Sequence, residues 1–328
     1  MRIRTLLAAG IAGAVGLAAG AADAQNREFR IGMITPPPHV WNQEAAAMGE
    51  TLKQLSGGRF SVAVFPSGQL GNEATMLQQL QTGALDMAWL TTAEVTTRVP
   101  DIAALHAPFL VRNIEHAGRL LRTAEVREML ERLPQATGTV GPCFAMTGMR
   151  QIMARDALPN VASLNGKRFR ITPAPPIREF FELLGASPAP MPLTQVYDAL
   201  ANGQVDAIDM DFESIINFRY HERAPNMLVT NHHMFGMVAL ISGRVWASLP
   251  PADREILRQA TQTHCDRIID RFVSEEQAKL DRLKGVAGLT ITENVGPEFF
   301  GDIVQRWDAA WAPRTPYVAR LRQVVAGF

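Results

Sequence analysis

The chain has 328 residues, of which 47% are hydrophobic and 20% charged. That is globular composition, and it excludes disordered, collagen-like and coiled-coil architectures. Its 32 basic and 32 acidic residues cancel, so no global field draws in nucleic acid or an anionic membrane.

The N-terminus reads as an export signal and not as part of the fold. Arg2 and Arg4 precede an uncharged run from Leu6 to Ala22, and Ala22-Asp23-Ala24 is an A-x-A site, which sets cleavage before Gln25. The run is short for a membrane span and rich in Gly and Ala. No cysteine near the site offers a lipid anchor, and no later segment is apolar enough to span a bilayer. The expectation is a periplasmic protein with a cleavable signal peptide at 1–24.

Next, Phe29, Ile31 and Met33 alternate as a strand, and Ala45, Met48, Leu52 and Leu55 share one face of a helix that Gly57-Gly58 stops. Phe60, Val62 and Val64 alternate again. Pro66-Ser67-Gly68-Gln69-Leu70-Gly71 leads into a helix from about 72 to 82, and a short apolar strand follows at 85–90. Strands separated by helices imply a parallel sheet with right-handed crossovers.

A second unit follows the same plan. Arg168 to Ile171 reads as a strand and Pro176 to Leu184 as a helix. A short strand near Ser187 precedes a helix from Thr194, its expected N-cap, to Ala201. Leu80-Gln81-Thr82-Gly83-Ala84-Leu85-Asp86 and Leu200-Ala201-Asn202-Gly203-Gln204-Val205-Asp206 share the pattern L-x-x-G-x-[LV]-D, 120 residues apart. The glycine ends a helix and the chain re-enters a sheet.

Beyond this, Phe235 to Ile241 is an apolar strand, Pro250-Pro251 opens a long helix to about 283, and two amphipathic helices end the chain. Two similar α/β lobes joined by several crossings, hence a hinge, are expected. Cys143 and Cys265 are the only cysteines. They read as two buried thiols in preference to a bridge across so long a loop, and their separation is no metal motif.

Phe65-Pro66-Ser67-Gly68-Gln69-Leu70-Gly71-Asn72-Glu73, Ala107-Pro108-Phe109-Leu110-Val111 and the stretch from Pro190 to Asp206 resemble the dicarboxylate-binding type of extracytoplasmic receptor that serves tripartite ATP-independent periplasmic (TRAP) transporters. The resemblance runs from about Phe29 to the last helices. It implies an α/β, two-lobed periplasmic-binding-protein-like fold that closes on a small carboxylate in a cleft between lobes. Lobe I would comprise 25–147 with about 236–275, and lobe II 148–235 with about 276–328. It further implies a monomer that partners TRAP-type membrane subunits, with no catalysis, cofactor or metal. A sensing component that presents its ligand to a receptor kinase would have the same sequence.

By the same resemblance Arg170 forms a bidentate pair with the ligand carboxylate, and Arg150, 20 residues earlier, assists. Arg170 also ends a strand that runs into Pro173, and open α/β sheets bind ligands beyond their strand ends. Its planar fork matches a carboxylate in a way lysine cannot. Glu73 at a helix start, Trp89 and Thr91 at a strand end and His39 in the first strand–helix loop are further cleft candidates. The family pattern departs at Met210, where asparagine is usual, and at Leu193, a position often aromatic. Both changes point to a monocarboxylate with an apolar body in preference to a sugar acid.

No H-E-x-x-H, G-x-S-x-G, P-loop or dinucleotide fingerprint occurs. Asp209, Asp211 and Glu213 alternate as metal ligands sometimes do, and His232-His233 lacks a third ligand at motif spacing.

Overall fold

The computed structural model describes residues 26–328. The signal segment and its cleavage site lie outside the described residues. Among the described residues, eleven strands form two sheets. The first holds β1 (Arg27–Gly32), β2 (Phe60–Phe65), β3 (Met87–Thr91), β4 (Thr139–Met149) and β10 (Met234–Ser242), in the order β2-β1-β3-β10-β4. The second holds β5 (Gln151–Ala154), β6 (Arg168–Ile171), β7 (Ser187–Pro190), β8 (Ala207–Met210), β9 (Asn226–Leu228) and β11 (Thr290–Thr292), in the order β11-β9-β5-β8-β6-β7.

Each sheet grows from a βαβ unit. β1 pairs parallel with β2 and β3, and β6 pairs parallel with β7 and β8. The sheets are nevertheless mixed, not all parallel. β10 runs antiparallel between β3 and β4, and β5 runs antiparallel between β8 and β9. These antiparallel strands carry the chain from one lobe to the other. β4 passes into β5 through Arg150 alone, and β9 returns to β10 through 229–233.

At the crossing the two segments hold each other. The Arg150 amide donates to the His233 carbonyl at 2.8 Å, and the His232 amide donates to the Arg150 carbonyl at 3.2 Å. A third connection is the 34-residue helix Pro251–Lys284, about 50 Å long. It packs on β4 and on helix Val40–Leu55, and Leu280 and Leu283 enter the core of the second lobe.

The repeated signature has one structural meaning in both places. Gly83 and Gly203 adopt φ of 80° and 66° after their helices, the left-handed end that glycine reaches without strain. The amide after each glycine returns to the last helical turn, Ala84 to the Gln79 carbonyl and Gln204 to the Ala199 carbonyl, both at 2.9 Å.

Three expectations change. Thr194 caps nothing; it sits within a 3-10 turn, Leu193–Gln195, and the helix Val196–Ala201 follows. Cys143 of β4 and Cys265 of the long helix form a disulfide with their Cα atoms 6.3 Å apart, so the two-thiol reading is replaced. Sequence could not bring together residues 122 apart; the packing of helix on strand does. The tail is shared between lobes. Ile303–Trp311 packs on Pro175–Leu183 beside the second sheet, with Trp307 Nε1 donating to the Pro176 carbonyl, whereas Tyr317–Ala326 packs on Pro100–His106 and Ile114–Leu120 of the first.

Candidate functional site

The strand ends of both lobes converge on one cavity. Ile34 and Thr35 follow β1, Thr91 ends β3, Arg170 and Thr172 lie at the end of β6, and Met210 and Asp211 at the end of β8. This is where parallel units leave unpaired backbone and loops for a ligand. The free space around Arg150 and Arg170 has about 30 Å³ for water centres, room for about two waters. A wider chamber of about 110 Å³ by the same measure adjoins it, sharing Glu73, Leu193 and Pro192 and adding Asn72, Glu94 and Thr194.

Arg170 is 1% exposed. Its Nε and Nη2 both donate to the Met191 carbonyl, at 3.2 and 2.8 Å, while Nη1 has no partner among the described residues. A guanidinium carries five N–H donors. Using the Nε/Nη2 edge on one carbonyl fixes the plane and leaves the Nη1/Nη2 end as a two-pronged donor. Burial pulls the Arg170 pKa down to about 10, with Asp209 pulling it back upward, so the group remains cationic at neutral pH.

Arg150, 3% exposed, lies with its guanidinium carbon 3.6 Å from the centre of the Phe235 ring. Its Nη1 donates to Met210 Sδ at 3.1 Å and to Asp211 Oδ2 at 3.3 Å. Asp211 also caps helix Phe212–Phe218 by accepting from the Ser214 amide at 2.8 Å. The acid that holds Arg150 is thus itself held by a helix start.

Glu73 faces these arginines from the other lobe. Its Oε1 accepts from the Thr91 amide at 2.5 Å and its Oε2 from the Thr91 hydroxyl at 3.1 Å. Desolvation pushes its carboxyl up to about 7; Glu94 adds to the rise, and Thr91 and Arg170 oppose it.

The structure therefore brings Arg170, Arg150, Met210, Leu193, Glu73 and Thr91 around one cavity. It does not bring Trp89 or His39 there. Trp89 lies inside β3 in the first core. His39 is fully buried at the start of helix Val40–Leu55, where Nδ1 accepts from the Trp41 amide at 3.1 Å. Trp41, Thr147, Thr172, Asp211 and Ser214 also border the cavity. For Thr172 and Asp211 the signal was their place just past a strand that already carries a candidate.

Asp209, His232 and His233 place ligand atoms within 4.8 Å of one another, all buried. The third group missing from the His-His spacing is thus Asp209, from another strand. Arg150 Nε lies 3.9 Å from the Asp209 carboxylate, so a fixed positive charge already stands beside that anion and opposes a metal cation there. Burial pushes the Asp209 carboxyl upward, while Arg150 and Arg170 oppose the rise.

Comparison with known proteins agrees with this geometry. Residues 31–312 match the family described as bacterial extracellular solute-binding protein, family 7. The chain belongs to that family. It is a TRAP-type solute-binding receptor for small organic acid anions and not an enzyme. It is 28% identical over 248 residues, 75% of this chain and 76% of the other, to a solute-binding protein of Roseobacter denitrificans. It is 25% identical to the sialic acid-binding periplasmic protein SiaP of Vibrio cholerae, covering 80% and 82% of the two chains. Among solved structures, a TRAP periplasmic solute-binding protein from Bradyrhizobium in complex with galacturonate superposes with a TM-score of 0.85 at 28% identity, over 92% of this chain and all of that one.

Proposed function

We propose that this receptor captures a carboxylate whose body carries several hydroxyl donors, an anion of sugar-acid type, as a monomer in the periplasm, and delivers it to its TRAP membrane subunits. The observation that carries the reading is the free end of the Arg170 guanidinium, buried beside a space that holds little more than a carboxylate. The body of such a ligand extends into the adjoining chamber. That chamber is edged by acceptors, the carboxylates of Glu73 and Glu94, with Asn72 and Thr194 beside them.

An apolar body, the expectation from Met210 and Leu193, would seal those carboxylates from water with only their present donors, Thr91 and Arg98, leaving their remaining acceptor sites unfilled. Met210 has its sulfur against Arg150, so its substitution for asparagine does not make the whole site apolar. The ligands of two compared proteins, the sialic acid of the Vibrio cholerae protein and the galacturonate of the Bradyrhizobium protein, are of the same hydroxylated kind.

A thermal-shift screen tests the proposal. Bound at a hundred times its Kd, a ligand stabilises by about 2.7 kcal/mol. D-galacturonate, N-acetylneuraminate and related hydroxy acids should raise the melting temperature. Hydrophobic 2-oxo acids and aryl acids should leave it unchanged, and the opposite ranking would overturn the reading. Export is checked separately, since intact-mass measurement of periplasmic protein should give a chain starting at Gln25.

A further inference from the structure

We infer that Glu213 is the latch that holds the two lobes closed, by capping the first helix of lobe I from lobe II. Glu213 lies on helix Phe212–Phe218, whose Phe212 and Ile215 belong to the second core. Its Oε1 accepts from the Val40 amide at 2.7 Å, and the pair is buried. Val40 opens the 16-residue helix Val40–Leu55, which packs on β2 of the first sheet.

The local sequence leaves that helix short of a negative charge. No acidic residue occupies its first turn, and the His39 side chain serves Trp41, not Val40. The first amides of a helix have no partner within it and favour an anion. Glu213 supplies that anion from across the cleft. Lys279 of the long helix holds its other oxygen at 3.0 Å, and His39 Nδ1 stands 3.8 Å from Oε1. Burial pushes the Glu213 carboxyl upward, but the facing His39, Lys279 and Val40 amide together outweigh this and keep it below the ordinary range.

The latch lies between the ligand cavity and the outside. Trp41, next to Val40, borders the cavity. On the other side Pro38, Val40, Glu213 and Lys279 line a groove open to solvent. Parting of the lobes breaks the bond and lets water reach both groups, so the bond contributes to the closed state alone. It touches no ligand, and it acts by slowing reopening.

The inference rests on the reading that the lobes part to admit ligand, and its test separates it from the identity of that ligand. Trp fluorescence stopped-flow with D-galacturonate compares wild type, Glu213→Ala, Val40→Pro and the double variant. Proline fits the first helical position and removes the donor, and Val40→Ala serves as the control for the buried valine side chain that proline also replaces; His39, with φ −67° and ψ 142°, already has the extended backbone that a following proline requires. A hydrogen bond to a charged group predicts dissociation faster by about tenfold to a hundredfold in each single variant. Association should stay within about twofold, and the double variant should be no worse than the singles. Wild-type dissociation rates, or effects that multiply in the double variant, would overturn the latch.

If D-galacturonate fails to bind wild type, the ligand reading fails, and the same proteins are compared in the same assay with whichever acid of the thermal-shift screen raises the wild-type melting temperature most; wild-type dissociation rates there would overturn the latch.

Discussion

Replacing Arg170 by alanine removes a free guanidinium end that the second lobe directs at the cavity. In the wild type the guanidinium is 1% exposed and oriented by the Met191 carbonyl through Nε and Nη2. A bound carboxylate in Arg170→Ala would therefore stay desolvated without its two-pronged partner, with Arg150 alone beside it. Loss of one member of a buried ion pair costs about 3–5 kcal/mol, or about two to three and a half decades in Kd. Arg170→Lys should recover little, because an ammonium cannot serve the Met191 carbonyl and a two-pronged carboxylate together. Titration calorimetry with D-galacturonate measures the effect, and the melting temperature of the ligand-free variants controls for folding. Near-wild-type affinity in Arg170→Ala, with the fold intact, would refute the assignment of the carboxylate to this residue.

Two groups give a pH dependence with a defined sign. Burial pushes Glu276 up to about 8 and Glu73 up to about 7, both from an ordinary 4.5. The folded chain keeps protons there that the unfolded chain has released, so the contribution of these two acids to stability is full below about pH 4.5 and is lost as pH rises to about 8. Buried His106 and His232, held down to about 3, act in the opposite sense up to about pH 6.5, so the acid is read by difference: the melting temperature of Glu276→Gln relative to wild type should rise as pH goes from about 4.5 to about 8, and a constant difference would contradict the burial of Glu276. In calorimetry at about pH 8, where Glu73 is ionised, Glu73→Gln should weaken binding of hydroxy acids by about tenfold, since a charged acceptor is exchanged for a neutral one. Reduction of Cys143–Cys265, or Cys143→Ser with Cys265→Ser, should cost about 2–4 kcal/mol of stability, read as a shift in the denaturation midpoint, with little change in ligand affinity.

Much of this was legible because local rules suffice for it. The βαβ spacing, the glycines that end helices and the strand that runs Arg170 into Pro173 are short-range patterns, and each appears within a few residues of its expected place. What was not legible depends on distant chain segments. The antiparallel placement of β10 beside β3, the disulfide across 122 residues and the meeting of Asp209 with His232 and His233 are consequences of tertiary packing. His39 and Trp89 show the limit from the other side. Both occupy positions that a cleft would use, yet burial in the core claims them.

The repeated aspartate shows how one local device serves two ends. Asp86 accepts from the Arg30 amide at 3.0 Å and from Arg27 Nη2 at 2.9 Å, tying β1 to the start of β3. Asp206 accepts from the Arg168 amide at 2.9 Å and from its Nε at 3.0 Å, tying β6 to the start of β8. In lobe I, Thr35 follows β1 and Thr91 ends β3; both offer hydroxyls, with Glu73 beside them. In lobe II the tied strand carries Arg170 two residues beyond Arg168. The same scaffold therefore presents acceptors on one side of the cleft and guanidinium donors on the other. Under the proposed function the carboxylate of an incoming acid gains most at the guanidinium side, and its hydroxyls meet the acceptors of the other lobe as the cleft closes. Recognition of the head group and recognition of the body then fall in sequence, and the second of them is coupled to closure.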